Sequence, residues 1–117
     1  LPVVCETRKG VRVARVDCGD NCYVFDPKIL RATLRKVLEF AREGEGSFVL
    51  DISRITLVAQ SHLQALEHVH AYLEGRQRRL VVVTQSAVVA RQVQLAVPTL
   101  QGRIFSKEKE AMAAAAV

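Results

Sequence analysis

Two apolar runs constrain this chain more than any other feature: Ser47-Phe-Val-Leu-Asp-Ile52 and Leu80-Val-Val-Val-Thr84. Neither alternates apolar with polar residues, so neither suits a strand with one wet face. Each reads as a strand covered on both sides. Segments with a 3.6-residue period surround them. From Lys28 to Arg42, the residues Leu30, Leu34, Val37, Leu38 and Ala41 fall on one helical face. Asp26-Pro27 offers a capping oxygen and a first helical residue that needs no amide partner, and Gly44 is expected to stop the helix. Gln60 to Glu74 reads as a second helix, with Leu63, Leu66, Val69 and Leu73 inward, Gln64, Glu67, His68 and Glu74 outward, and Gly75 at its end. Ser86 is expected to cap a third helix that ends before Pro98, because the residue before a proline avoids helical backbone.

The ends complete the pattern. Pro2 to Thr7 and Val11 to Val16 read as two strands joined by a turn at Arg8-Lys9-Gly10, with Arg12 alternating toward solvent. Asp17-Cys-Gly-Asp-Asn21 is dense in turn formers and should be a loop. Gly102 to Phe105 suggests a short strand, Ser106 could cap a last helix, and Met112 to Val117 is rich in helix-forming alanine. Strands alternating with helices imply parallel neighbours joined by right-handed crossovers. The expected fold is α/β: one domain over residues 1–117, a mixed β-sheet with an N-terminal antiparallel strand pair, and about four α-helices.

One motif carries a resemblance. Asp51-Ile-Ser-Arg-Ile-Thr-Leu-Val-Ala-Gln-Ser-His-Leu-Gln-Ala-Leu66 resembles the central segment of STAS domains, whose pattern is D-L-S-x-V-x-x-I-D-S-S/T-G-L-x-x-L. That family includes anti-sigma factor antagonists and the cytoplasmic tails of sulfate transporters. The first Asp, the Ser two later and the Leu spacing match. Arg79 to Leu95 is similar to the family's fourth strand and third helix, and Gly19-Asp20 sits where the family often has a G-x-L-D turn.

The resemblance implies a non-catalytic protein-binding module. Its partner would resemble an anti-sigma factor kinase or, alternatively, the ATPase of a lipid-transport complex. A small-ligand or nucleotide sensor is the remaining alternative from the family. In switched members a Ser or Thr at the start of the second helix is phosphorylated. Here Ala59 replaces the preceding Asp, Gln60 the acceptor and His62 the usual Gly, and Gln60 has no hydroxyl to esterify. Ser61 is the candidate phosphoacceptor that remains. The expected docking face is the loop and N-terminus of helix two: Arg54, Ala59, Gln60, Ser61, His62, Gln64 and Glu67.

Other chemistry finds less support. His62, His68 and His70 are six, two and eight residues apart, not the three or four that put metal ligands on one helix face, so they read as surface histidines and no metal is expected. Cys5, Cys18 and Cys22 form no repeated C-x-x-C pair and read as reduced thiols. Asp17, Asp20 and Asp26 read as turn and cap residues. Gly44-Glu-Gly46 precedes a strand and not a helix, so it is no phosphate loop. Without a nucleophile–base set or a cofactor motif, neither enzyme activity nor a cofactor is expected.

The net charge of +5 is spread among twelve carboxylates, with one knot at Arg76, Arg78 and Arg79 that reads as a solvated loop, and no interleaved aromatics call for nucleic acid. No run approaches the roughly 20 apolar residues of a spanning helix, so a cytoplasmic or membrane-peripheral location is expected. The alanine-rich end that stops at Val117 is compatible with truncation from a longer protein.

Overall fold

A computed structural model describes residues 3–17, 27–56 and 58–116. Strands β1 (Val3–Arg8) and β2 (Val11–Val16) form an antiparallel hairpin in which Arg8 faces Val11. Only Lys9 and Gly10 connect them, with φ of 51° and 80°. Two left-handed residues in a row make the tight turn whose twist matches that of the strands, and Gly10 adopts it freely. Arg8, expected in the turn, is therefore the last residue of β1.

The chain continues through α1 (Pro27–Arg42), β3 (Phe48–Asp51), α2 (Gln60–Glu74), β4 (Leu80–Val83) and α3 (Ala87–Ala96). A single 3-10 turn (Pro98–Leu100), β5 (Ile104–Phe105) and α4 (Glu108–Ala115) follow. The strands lie in the order β1-β2-β3-β4-β5, parallel except at the β1–β2 edge. This is the expected mixed sheet with an antiparallel edge.

The two apolar runs are buried on both faces, as their lack of alternation required. On one face Phe48, Leu50, Leu80 and Val82 pack with Val37 and Ala41 of α1, Leu66, Val69 and Leu73 of α2, and Val89 and Val93 of α3. On the other, Val49, Val81 and Val83 join Val11 and Val13 beneath Ala111 and Ala115 of α4. The fully buried contacts of α4 are small alanines, with Met112 packed half-buried beside them.

Three helix ends differ from the sequence expectation or refine it. Ser86 caps α3 as expected, its Oγ accepting from the Val89 amide at 3.2 Å. At the end of α2, Gly75 is not the left-handed stop: its φ is −61°. Gln77 takes that role with φ 58°, while the Gln77 amide donates to Glu74 O and the Arg78 amide to Leu73 O, both at 2.9 Å. These are the two bonds of a Schellman ending, with glutamine where glycine is usual. Ser106 does not cap α4. Lys107 precedes the helix in extended backbone with no side-chain cap, and Glu108 in the first turn anchors the helix by ion pairs instead. Cys18, Cys22, Asp20 and Asp26 lie outside the described residues, so their expected roles stay as sequence readings. Cys5 is half-buried on β1, and burial pushes its thiol above the usual range.

Candidate functional site: the loop after β3 and the start of α2

The loop that leads into α2 is shaped from its first residue. Asp51 ends β3 and is buried. Its Oδ1 accepts the Ser53 amide at 2.9 Å, and the Ile55 amide donates to Ile52 O at 2.9 Å. A side chain that bonds an amide two residues on closes a turn without help from secondary structure. The D-x-S spacing of the motif thus acts as a local fold determinant.

Asp51 does not stand alone. Arg15 is its register partner on β2, and Glu108 at the start of α4 reaches the same place from 93 residues beyond Arg15. Arg15 Nε donates to Glu108 Oε2 at 2.8 Å, Arg15 Nη2 to Oε1, and Arg8 Nη1 to Oε1 at 2.7 Å. Glu6 completes the cluster, with its Oε1 2.6 Å from Arg8 Nε. Hydrogen bonding from Arg15 holds the Glu108 carboxyl down to about 2. Burial, and then the neighbouring Glu108, push Asp51 the other way, above the usual carboxylate range. Neither Arg15 nor Glu108 was recognisable from the sequence, because nothing local links residues so far apart.

Helix α2 begins without a capping side chain. Ala59 occupies the cap position in extended backbone and has only a methyl group. His62, three residues on, compensates: its Nδ1 accepts the Ala59 amide at 2.9 Å. This is the backward half of a capping box, with imidazole in place of the usual Glu or Gln. In this bond Nδ1 is the acceptor, which places the ring hydrogen on Nε2. Sequence reasoning placed His62 on the docking surface; it is half-buried and also holds the helix start.

Of the other expected docking residues, Ala59 is half-buried, while Gln60, Ser61, Gln64 and Glu67 are exposed. Gln60, Gln64 and Glu67 follow an i, i+4, i+7 row along the helix. Arg54 projects from the loop with a 60% exposed side chain, its Nε 4.0 Å from Asp17 Oδ1. Beneath the loop an apolar cavity of about 100 Å³ lies between α1, α2 and the sheet, lined among others by Leu34, Leu50, Ile52, Ile55 and Val58. Its walls offer almost no hydrogen-bonding group.

Among the described residues, no three His, Cys, Asp or Glu side chains are grouped to hold a metal ion. His68 is exposed, but His70 is buried, contrary to the surface reading. It lies one position from Val69 on the stripe of Leu66 and Leu73. Its Nε2 is 2.8 Å from Thr99 Oγ1, which ties α2 to the turn after α3, and 3.2 Å from Glu74 Oε2 on the same helix. Among the described residues no helix is long and apolar enough to cross a membrane.

Comparison with protein-family models gave no match, and neither did comparison with curated proteins. Solved structures are similar. An anti-sigma factor antagonist from Mycobacterium paratuberculosis has a TM-score of 0.74 at 21% identity, over 98% of this chain and 93% of that one. RsbS from Moorella thermoacetica, in a serine-to-glutamate variant, has a TM-score of 0.76 at 14% identity, over 97% and 94%. The murine solute carrier 26 family member A9 anion transporter has a TM-score of 0.61 at 17% identity; the match covers 92% of this chain but 18% of the transporter. The fold that the D-x-S motif led us to expect is the fold observed: a STAS-like α/β domain.

Proposed function

We propose that this STAS-like domain is a non-catalytic protein-binding module that acts like an anti-sigma factor antagonist and docks its partner through the loop and N-terminus of α2. The observation that carries the reading is the exposed row of Gln60, Ser61, Gln64 and Glu67, continued by Arg54 on the loop. These polar side chains make few commitments within the fold, yet they sit on a rigid base. Asp51 fixes the loop, His62 fixes the helix start, and Leu66, Val69 and Leu73 hold the helix to the sheet. A pre-ordered surface loses less entropy on binding.

The likeness to an anti-sigma factor antagonist supports a partner of the anti-sigma factor, kinase-like class. The ATPase of a lipid-transport complex is the second reading, carried by the family resemblance alone, since the part-length structural match is to an anion transporter. Gln60 stands at the family's acceptor position, so docking proceeds without the usual phosphate switch. Ser61 is the exposed hydroxyl next to it, and phosphopeptide mapping in the native host distinguishes the two states. Recovery of a phosphate on Ser61 overturns the switchless reading. A photocrosslinking residue in place of Gln64 tests the face itself: it should capture a defined partner that the same residue in place of Arg76, at the far end of α2, does not. Equal capture from both positions argues against the α2 face.

A further inference from the structure

The end of the sheet opposite the docking loop gathers positive charge around two polar atoms that the fold leaves unused. Here α1 and α2 end and β3 and β4 begin. Arg78, expected in a solvated loop, is half-buried: its Nε donates to Gly46 O and its Nη1 to Ala41 O, both at 2.7 Å. The third nitrogen, Nη2, is buried and has no hydrogen-bond partner among the described residues. Tyr72 is half-buried on α2, one helical turn before Arg76, and its hydroxyl is likewise buried and unpartnered. The Arg76 guanidinium covers the Tyr72 ring at 4.2 Å from its centre.

Arg12 stands beside them, its guanidinium 4.7 Å from the Phe40 ring centre and bonded to Glu43 O at 3.2 Å. Burial, and after it the charges of Arg12 and Arg76, lower the basicity of Arg78 against opposing contributions from Tyr72 and Glu45, so these cations are near enough to repel one another. The acidic groups nearby do not remove the excess. Glu43 lies 3.7 Å from Arg12, Glu45 is exposed, and Glu74 turns to His70.

Bonds to Ala41 O in the last turn of α1 and to Gly46 O in the loop after it occupy two of the Arg78 nitrogens and leave the third. Burying a donor without an acceptor is costly, and like charges held together are costly too. One ligand relieves both. The geometry points to an oxyanion site at the α2–β4 corner, in which Arg78 Nη2, the Tyr72 hydroxyl and Arg76 bind a phosphate group. Guanidinium edges and a phenol suit a tetrahedral anion with several acceptor oxygens, and the planar guanidinium pairs with phosphate better than an ammonium does. The phosphate can belong to a small free anion or to a lipid headgroup. The site lies away from the docking face and does not depend on it.

The test is an NMR titration of the whole chain with pyrophosphate at low ionic strength, following the Arg side-chain Nε–H and Tyr72 ring signals, with chloride at matched ionic strength as control. Tyr72→Phe and Arg76→Glu leave the Arg78 bonds to Gly46 and Ala41 in place, so both variants should fold. Saturable shifts are expected at Arg76, Arg78 and Tyr72. Affinity should fall several-fold in Tyr72→Phe and roughly tenfold or more in Arg76→Glu. Sedimentation with phosphatidic-acid vesicles separates the sources. Pyrophosphate binding with no vesicle binding assigns a free phosphate. Vesicle binding that Arg76→Glu abolishes assigns a headgroup. Failure to bind either probe, shifts that chloride reproduces, or equal affinity in the wild type and both variants overturns the site.

Discussion

Replacing Glu108 with Gln keeps the shape of the side chain and removes the charge that Arg8 and Arg15 share. The ordinary carboxyl value of 4.5 is held to about 2 in the folded chain. That difference of about 2.5 units, at about 1.4 kcal/mol per unit, sets an upper bound of about 3–4 kcal/mol. Glu108 itself is 19% exposed, but Arg8 is 49% exposed and solvent weakens its share. Asp51 opposes the gain, since its carboxyl is pushed up by burial and by Glu108. The variant relieves that repulsion, so the expected net loss is about 1–2 kcal/mol near pH 6.

The pH dependence has a definite sign. A carboxyl depressed on folding stabilises fully above its unfolded value, and the contribution is lost as pH falls through its folded value. The gap between wild type and Glu108→Gln should therefore close between about pH 4.5 and about pH 2. Urea unfolding of both chains across that range measures it. A gap that stays constant with pH, or a variant more stable than wild type near pH 6, refutes the ion-pair account of how α4 is held.

Gln77→Gly should raise stability by about 0.5–1 kcal/mol, because glycine removes the left-handed penalty on a side chain and returns part of it as unfolded-state entropy; thermal unfolding reads the gain. Ala59→Ser gives α2 the capping oxygen it lacks and should add about 1 kcal/mol. His62→Ala should lose about 0.5–1 kcal/mol, whereas His62→Glu, which can make the same backward bond, should lose less. Phe48 is fully buried, and Phe48→Ala should cost about 3–5 kcal/mol in denaturant titration.

The sheet was legible because Phe48 to Leu50 and Leu80 to Val83 carry an unbroken apolar pattern that only a doubly covered strand explains. The helices were legible from their periodic faces. Helix ends were less so: Gly75 looks like a stop, but the deciding residue is Gln77, whose left-handed backbone follows from packing and not from propensity. His70 looked polar enough for the surface, yet its position beside Val69 takes it inward to Thr99 and Glu74. The candidate face was readable as a motif, but not how it is held. The Glu108 link to Asp51 joins residues whose proximity only the assembled sheet creates, and the role of His62 depends on what Ala59 lacks. In the arginine knot, sequence alone showed charge; the unused Arg78 Nη2 and Tyr72 hydroxyl appear only once the corner is built.

The most direct test of the docking face is partner binding by a chain altered only at exposed positions of α2. Gln60→Arg with Gln64→Arg adds two charges to the face and leaves Asp51, His62 and the core untouched. Quantitative affinity purification from the native host should show a specific partner retained by the wild type and by Arg76→Ala, and reduced at least tenfold by the double variant, with circular dichroism and thermal unfolding unchanged. Retention of the same partner at equal yield by the folded double variant contradicts docking through α2.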